Sequence, residues 1–220
     1  MPKESINNLK IRTKKIISLL KKNYPDAQCS LNYKTVHQLM VATILSAQCT
    51  DERVNAVTPA LFKKYPSIKA FAKADLEELK KDIYSTGFYN NKAKSIIASA
   101  KQLVEIYRGR IPKTLEQLTS LTGLGRKSGS VVLGEGFGLA EGIVVDTHVG
   151  RISRLLGFTQ EKDPVKIEKN LMKLIPRKDW IIYSHLLIYH GRSLCKARRP
   201  DCENCFLIKL CHFGSDRNNT

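Results

Sequence analysis

The stretch "LTGLGRKSGS", residues 121–130, holds two glycines one residue apart, Gly123 and Gly125. Before them runs an apolar segment built on Leu115, Leu118 and Leu121; after them a second segment opens at Arg126. Glycine accepts positive φ and lets the backbone approach a neighbour closely, so the stretch predicts a helix, a tight hairpin and a second helix. Bare N–H groups at the start of that second helix favour an anion. A plain helix–helix corner with no ligand fits the two glycines equally well. The stretch lacks the length of a P-loop and the strand ahead of one, and it carries only half of the dinucleotide fingerprint.

Outward from the hairpin the pattern stays helical. Ile6, Leu9, Ile16, Ile17 and Leu20 fall on one face, while Lys3, Lys10, Lys14, Lys15, Lys21 and Lys22 cover the other. The uncharged run from Thr35 to Thr50 contains an apolar helix over 35–47, short for a membrane span. Thr50 starts another helix, in which Thr58-Pro59 reads either as a kink or as a fresh start. Asp75 with Glu78, and Thr114 with Gln117, are capping-box patterns. Ala93, Ile96, Ile97, Ala100, Val104 and Tyr107 mark a helix that Gly109 and Pro112 close. Later come Val149, Ile152, Leu155 and Leu156, then Ile167, Leu171 and Leu174, then a segment from Asp179 through Tyr189. Only "GIVVD", residues 142–146, has strand-like composition, and so short a stretch alone makes no sheet. The expectation is an all-α fold of about ten helices.

Charge narrows the partners. Of 220 residues, 37 are Lys or Arg and 20 are Asp or Glu, a net charge of +17 spread along the chain. About half of that excess would serve solubility, so a polyanion is indicated, either nucleic acid or an anionic membrane face. The opening "MPKESINNLK" has no apolar core of the signal-peptide kind, and a cytoplasmic, reducing interior is expected. Regularly spaced thiols in such a compartment point to metal ligands ahead of disulfides. Four of the six cysteines stand in "CKARRPDCENCFLIKLC", residues 195–211. Four thiolates suit zinc or an iron-sulfur cluster; only Cys202 and Cys205 form a close pair, and the spacing leaves both open. Cys29 and Cys49 read as core thiols. Lys196, Arg198 and Arg199 put positive charge on the same loop, within reach of phosphates.

Taken together, "LTGLGRKSG", "VVDTHVGRI" (144–152), the spacing C-x6-C-x2-C-x5-C, "LSAQCTD" (45–51) and "GFYNNKA" (87–93) cover nearly the whole chain. They resemble the endonuclease III branch of the helix-hairpin-helix DNA glycosylases. The resemblance implies a helical barrel domain over 30–140, with the hairpin element at 114–137. A discontinuous iron-sulfur domain would take 1–29 and 141–220, its cluster loop at 195–211, with DNA across the groove between the two. The implied activity is that of a bifunctional DNA glycosylase and AP lyase of base excision repair, acting on oxidised pyrimidines.

Roles follow from the same resemblance. Lys127 is the nucleophile that attacks the sugar C1′, expels the base and leaves a Schiff base, from which β-elimination cuts the strand 3′ to the lesion. An amine must be neutral to attack, so this lysine is expected in a closed, partly dehydrated site that disfavours the cation. Asp146 is expected opposite it, stabilising positive charge on the sugar and also capping the helix that follows. Gln48 and Phe88 match the positions that fill the space left by an extruded base, although the family has an aliphatic residue where Phe88 stands. Gly123, Gly125, Arg126, Lys196, Arg198 and Arg199 complete the implied DNA contacts. Cys195, Cys202, Cys205 and Cys211 are the implied ligands of a 4Fe-4S cluster.

The expected partner is duplex DNA containing damaged bases or abasic sites, with no membrane, bound by a monomer. Asp51 and His148 are weaker candidates beside the pocket. Two departures from the family pattern carry expectations of their own. Thr122 replaces the usual proline and should loosen the turn slightly; "GEGFG" (134–138) should fray the second helix. Two alternatives fit less well. An adenine-mismatch glycosylase lacks the hairpin lysine and carries a further C-terminal domain, for which a chain ending at Thr220 has no room. A binding module or electron carrier has no use for both Lys127 and Asp146.

Overall fold

The computed structural model describes residues 4–217. Among them the chain forms α-helices and no strand, in the order α1 (Ile6–Asn23), α2 (Val36–Leu45), α3 (Asp51–Lys64), α4 (Ile68–Ala72), α5 (Leu76–Asp82), α6 (Tyr89–Tyr107), α7 (Leu115–Thr119), α8 (Arg126–Phe137), α9 (Thr147–Leu155), α10 (Pro164–Leu174), α11 (Trp180–Ser193) and α12 (His212–Arg217). Short 3₁₀ turns occupy Tyr84–Thr86, Arg177–Asp179 and Ile208–Leu210. The all-α expectation holds, and "GIVVD" is irregular. The helices number twelve because α4 and α7, at five residues each, are too short to show a periodicity.

Local rules explain most helix starts. Thr35, Thr50, Asp75, Thr114 and Asp163 each accept the N–H three residues on, satisfying a donor that the helix itself cannot. Helix α3 continues through Pro59 as one element. Helix α6 ends with Arg108 and Gly109 at positive φ, and the Gly109 N–H returns to the Leu103 carbonyl.

The chain divides into two compact units. A central unit, Cys29–Glu141, packs α2 through α8 around Val41, Ile44, Leu45, Phe71, Ile96, Leu103, Leu118 and Leu133. Helix α2 is uncharged because it is buried on every side from Leu39 to Leu45. A terminal unit joins the chain up to Gln28 with the chain from Gly142 onward, around Ile16, Ile17, Leu20, Val149, Ile152, Leu171, Tyr183 and Leu187. Ile6 does not join this core, being 56% exposed, so the packed face of α1 begins at Leu9.

The fray expected at "GEGFG" is absent. Helix α8 runs to Phe137 and stops at Gly138, which takes a left-handed conformation. A Cβ on Gly136 would stand 2.7 Å from Val36 Cγ1, so this glycine lets α8 lie close against α2.

Candidate functional site

The hairpin between α7 and α8 is pinned from below by Leu121 and Leu124, both buried. Gly123 has φ +83°, and a Cβ there would meet Ser95 Cβ of α6 at 2.5 Å. Both the positive φ and the lack of room demand glycine. Thr122 does not loosen the turn: its backbone N–H donates to Gln102 Oε1 at 2.8 Å, a tie that a proline could not make. Gly125 precedes α8 in extended conformation and has no side chain to cover the first N–H groups of the helix. Arg126 and Lys127 follow in the first turn, both exposed. The closed, dehydrated setting expected for Lys127 is therefore missing from the protein alone.

Three non-glycine residues have positive φ among those described, and two of them are Gln48 (φ 52°) and Phe88 (φ 49°). Each such residue stores strain of about 1–3 kcal/mol, which persists only where the surroundings over-determine it. Both side chains are exposed, Phe88 by 62%, so Phe88 is not a core aromatic. Gln48, Phe88 and Gly123 line one cavity of about 240 Å³, together with Ile44, Asn91 and Lys92. The structure thus brings the two inserting candidates and the hairpin glycine to one place within the central unit.

Lys92 is absent from the sequence-based set. It is only 5% exposed, and its Nζ donates to the carbonyls of Leu45 (2.7 Å) and Thr86 (2.8 Å). Burial pulls its pKa below the ordinary lysine value. One signal could have exposed it: Lys92, Ile96 and Ser99 follow helical spacing on the buried face of α6, a charge inside an apolar stripe.

Asp146 lies in the terminal unit, directly before α9, and is half-buried. Its Oδ1 accepts the Val149 N–H at 2.7 Å, so the carboxylate is held at a helix N-terminus, where its negative charge is favoured. His148 packs its ring on α11; a Cβ on Gly191 would stand 2.3 Å from His148 Nδ1. Asp51 opens the first turn of α3 in the central unit.

The four cysteines of residues 195–211 are half-buried and line a single small cavity of about 20 Å³, closed by Ile152, Leu155, Leu207 and Phe213. Polar ties orient them. Arg151 reaches Cys195 Sγ at 3.6 Å and also its carbonyl, His190 Nε2 lies 3.7 Å from Cys205 Sγ, and Cys211 Sγ donates to the Leu155 carbonyl at 3.4 Å. Burial pushes the thiols of Cys195 and Cys211 up, and that of Cys205 up to about 11. As free thiols these three hold their protons, and a bound cation would be needed to make them thiolates. Among the described residues no three His, Cys, Asp or Glu side chains converge closely enough for one metal ion. Lys196, Arg198 and Arg199 are all exposed on the same loop.

Comparison with known proteins bears directly on this geometry. Residues 41–177 match the HhH-GPD superfamily of base excision DNA repair proteins. Endonuclease III of Synechocystis sp. is 52% identical over 202 residues, which is 92% of each chain. A solved non-covalent endonuclease III–DNA complex is similar at a TM-score of 0.88 with 40% identity, over 96% of this chain and 99% of that one. A trapped endonuclease III–DNA covalent intermediate gives 0.88 with 41% identity, over 95% and 98%. A match across most of the central unit and beyond it, with half of all residues shared with a full-length relative, has one consequence: the chain belongs to the endonuclease III family of the HhH-GPD superfamily.

Proposed function

We propose that the chain is a bifunctional DNA glycosylase and AP lyase that removes oxidised pyrimidines from duplex DNA and cuts 3′ to the abasic site. One observation carries the reading: Lys127 presents an exposed amine in the first turn of α8, directly after Gly125-Arg126, where Gly125 lays no side chain over the first N–H groups of the helix. A DNA phosphate held by those N–H groups would bring a nucleotide beside the amine. The relative trapped as a covalent DNA intermediate supports the same reading.

Catalysis then divides among this chain's residues. Neutral Lys127 Nζ forms a bond to C1′ as the glycosidic C–N bond breaks, and the base departs with that electron pair and takes up a proton. Nζ then sheds a proton as the C1′–O4′ bond breaks and O4′ takes up a proton, which gives the Schiff base, and loss of a C2′ proton from it expels the 3′ phosphate. Bound DNA excludes water from Lys127, which is what favours its neutral form. Asp146, held at the start of α9 by its bond to the Val149 N–H, stabilises positive charge as it grows on the sugar. Gln48 and Phe88 fill the space that the extruded nucleotide leaves.

Cys195, Cys202, Cys205 and Cys211 hold a 4Fe-4S cluster in this reading, and the cluster supplies a rigid cross-link. Lys196, Arg198 and Arg199 would then stand on a fixed loop that meets DNA phosphates. No described helix is long and apolar enough to cross a membrane, and a site of action in the cytoplasm is part of the proposal.

Borohydride trapping tests the chemistry. The wild-type protein should form a covalent adduct with a duplex bearing an abasic site or thymine glycol, and Lys127→Ala should bind the duplex without forming it. A wild type that binds and gives no adduct overturns the lyase reading. A brown protein with about four irons per chain is expected, and a colourless, zinc-containing one would overturn the cluster.

A further inference from the structure

Helix α2 ends at Leu45, three residues before Gln48, and the 3₁₀ turn Tyr84–Thr86 ends two residues before Phe88. The last carbonyl of each element accepts a hydrogen bond from the same ammonium, Lys92 Nζ, at 2.7 and 2.8 Å. Each anchor therefore lies immediately upstream of a non-glycine residue forced to positive φ, and both of those residues line one cavity with Lys92. A cation is well matched to the carbonyl end of a helix. Yet burying a charge against neutral carbonyls is expensive, and a methionine of similar length would fill the same space without that cost. A lysine at this position has a purpose other than packing.

We propose that Lys92 is a positioning residue that locks the Gln48 loop and the Phe88 loop to each other, so that both side chains enter a duplex as one rigid pair. The role rests on the reading of Gln48 and Phe88 as inserting residues. Strain at two separate φ angles is held only while both upstream carbonyls are fixed, and one ammonium fixes both. Without it, each loop relaxes on its own, and the pair has to be ordered again at every extrusion. Lys92 has no part in bond breaking, so its loss should matter most where the lesion has to be pulled from a paired stack.

The test compares single-turnover excision of thymine glycol paired with adenine against the same lesion in a one-nucleotide bulge, where extrusion is easy. Lys92→Met should slow the paired substrate about tenfold or more and the bulged one less than about threefold. Gln48→Ala and Phe88→Ala should show the same selectivity, and adding Lys92→Met to the pair of them should change little further. Equal slowing of both substrates by Lys92→Met, or none, overturns the proposal. If Gln48→Ala and Phe88→Ala leave the ratio of rates unchanged, the inserting reading itself fails. If they shift it and Lys92→Met does not, only the locking role fails. Should Lys92→Met lose its helical circular dichroism, Lys92→Gln, which can still donate to one carbonyl, is judged by the same ratio. Failure of that variant to fold makes Lys92 a residue of the fold alone and overturns the proposal.

Discussion

The hairpin that carries Gly123 and the loop that carries the cysteines are both short irregular segments joined to helices, and they differ in how much carbon packing and how many polar ties hold them. Leu121 and Leu124 bury the hairpin from below, and Gly123 lies so close to Ser95 that a single added carbon would collide. The cysteine loop exposes Lys196, Arg198, Arg199, Asp201 and Glu203; Leu207 is its one fully buried apolar side chain, and polar ties hold its ends, Arg151 to Cys195 and Arg12 to the Leu210 carbonyl at 2.8 Å. Carbon packing makes a segment rigid by itself. Polar ties around a ring of thiols leave most of the ordering to whatever the thiols bind.

The most severe way to break this contrast is Cys205→Ser. Loss of one ligand should release the metal and cost the terminal unit on the order of 5 kcal/mol or more, because binding energy there is folding energy. The central unit, with its own core, should keep its melting transition. Calorimetry beside iron analysis checks this. An iron-free variant that melts as wild type would mean that the loop is as self-supporting as the hairpin.

Gly123→Ala sharpens the other half. The alanine would take φ +83° with its Cβ 2.5 Å from Ser95 Cβ, so strain and overlap together should cost about 2–4 kcal/mol. Urea unfolding of the pure variant measures it. A loss below about 0.5 kcal/mol would show that the hairpin yields, and that contact is not what holds it.

The contrast also explains what could be read in advance. Helix starts were legible because Thr50, Asp75, Thr114 and Asp146 bond to N–H groups three residues away, inside one window of sequence. Gly136 misled because its reason is Val36, one hundred residues distant, and Thr122 misled because its N–H finds Gln102 on another helix. Lys92 stands among 37 basic residues; its place in the apolar stripe of α6 signals burial, but its two carbonyl partners show only once α2 and the Phe88 loop converge on it. Cysteine spacing pointed to metal ligands without choosing the metal, since that depends on how far apart the thiols lie in space. The division of a terminal unit between both chain ends came from family resemblance, and no local pattern carries it.

The smallest effect concerns the polar side of the contrast. Arg12 of α1 donates through Nη1 to the Leu156 and Leu210 carbonyls and through Nη2 to Glu4 Oε2 at 2.8 Å, its side chain 12% exposed. Glu4 thus holds the guanidinium that holds the residue before Cys211. The hydrogen bond from Arg12 keeps the Glu4 carboxyl below its ordinary pKa, against the opposing effect of burial. A carboxyl with a depressed pKa stabilises the fold above its unfolded value of about 4.3, and that contribution fades as pH falls through the lower, folded value. Glu4→Gln should therefore cost about 1 kcal/mol at neutral pH, with the gap from wild type closing as the solution is acidified below about pH 4. Urea unfolding of both proteins at stepped pH gives the two curves. Curves that stay parallel into acid would remove Glu4 from the ties on the loop and leave Arg12 to act through the two carbonyls alone.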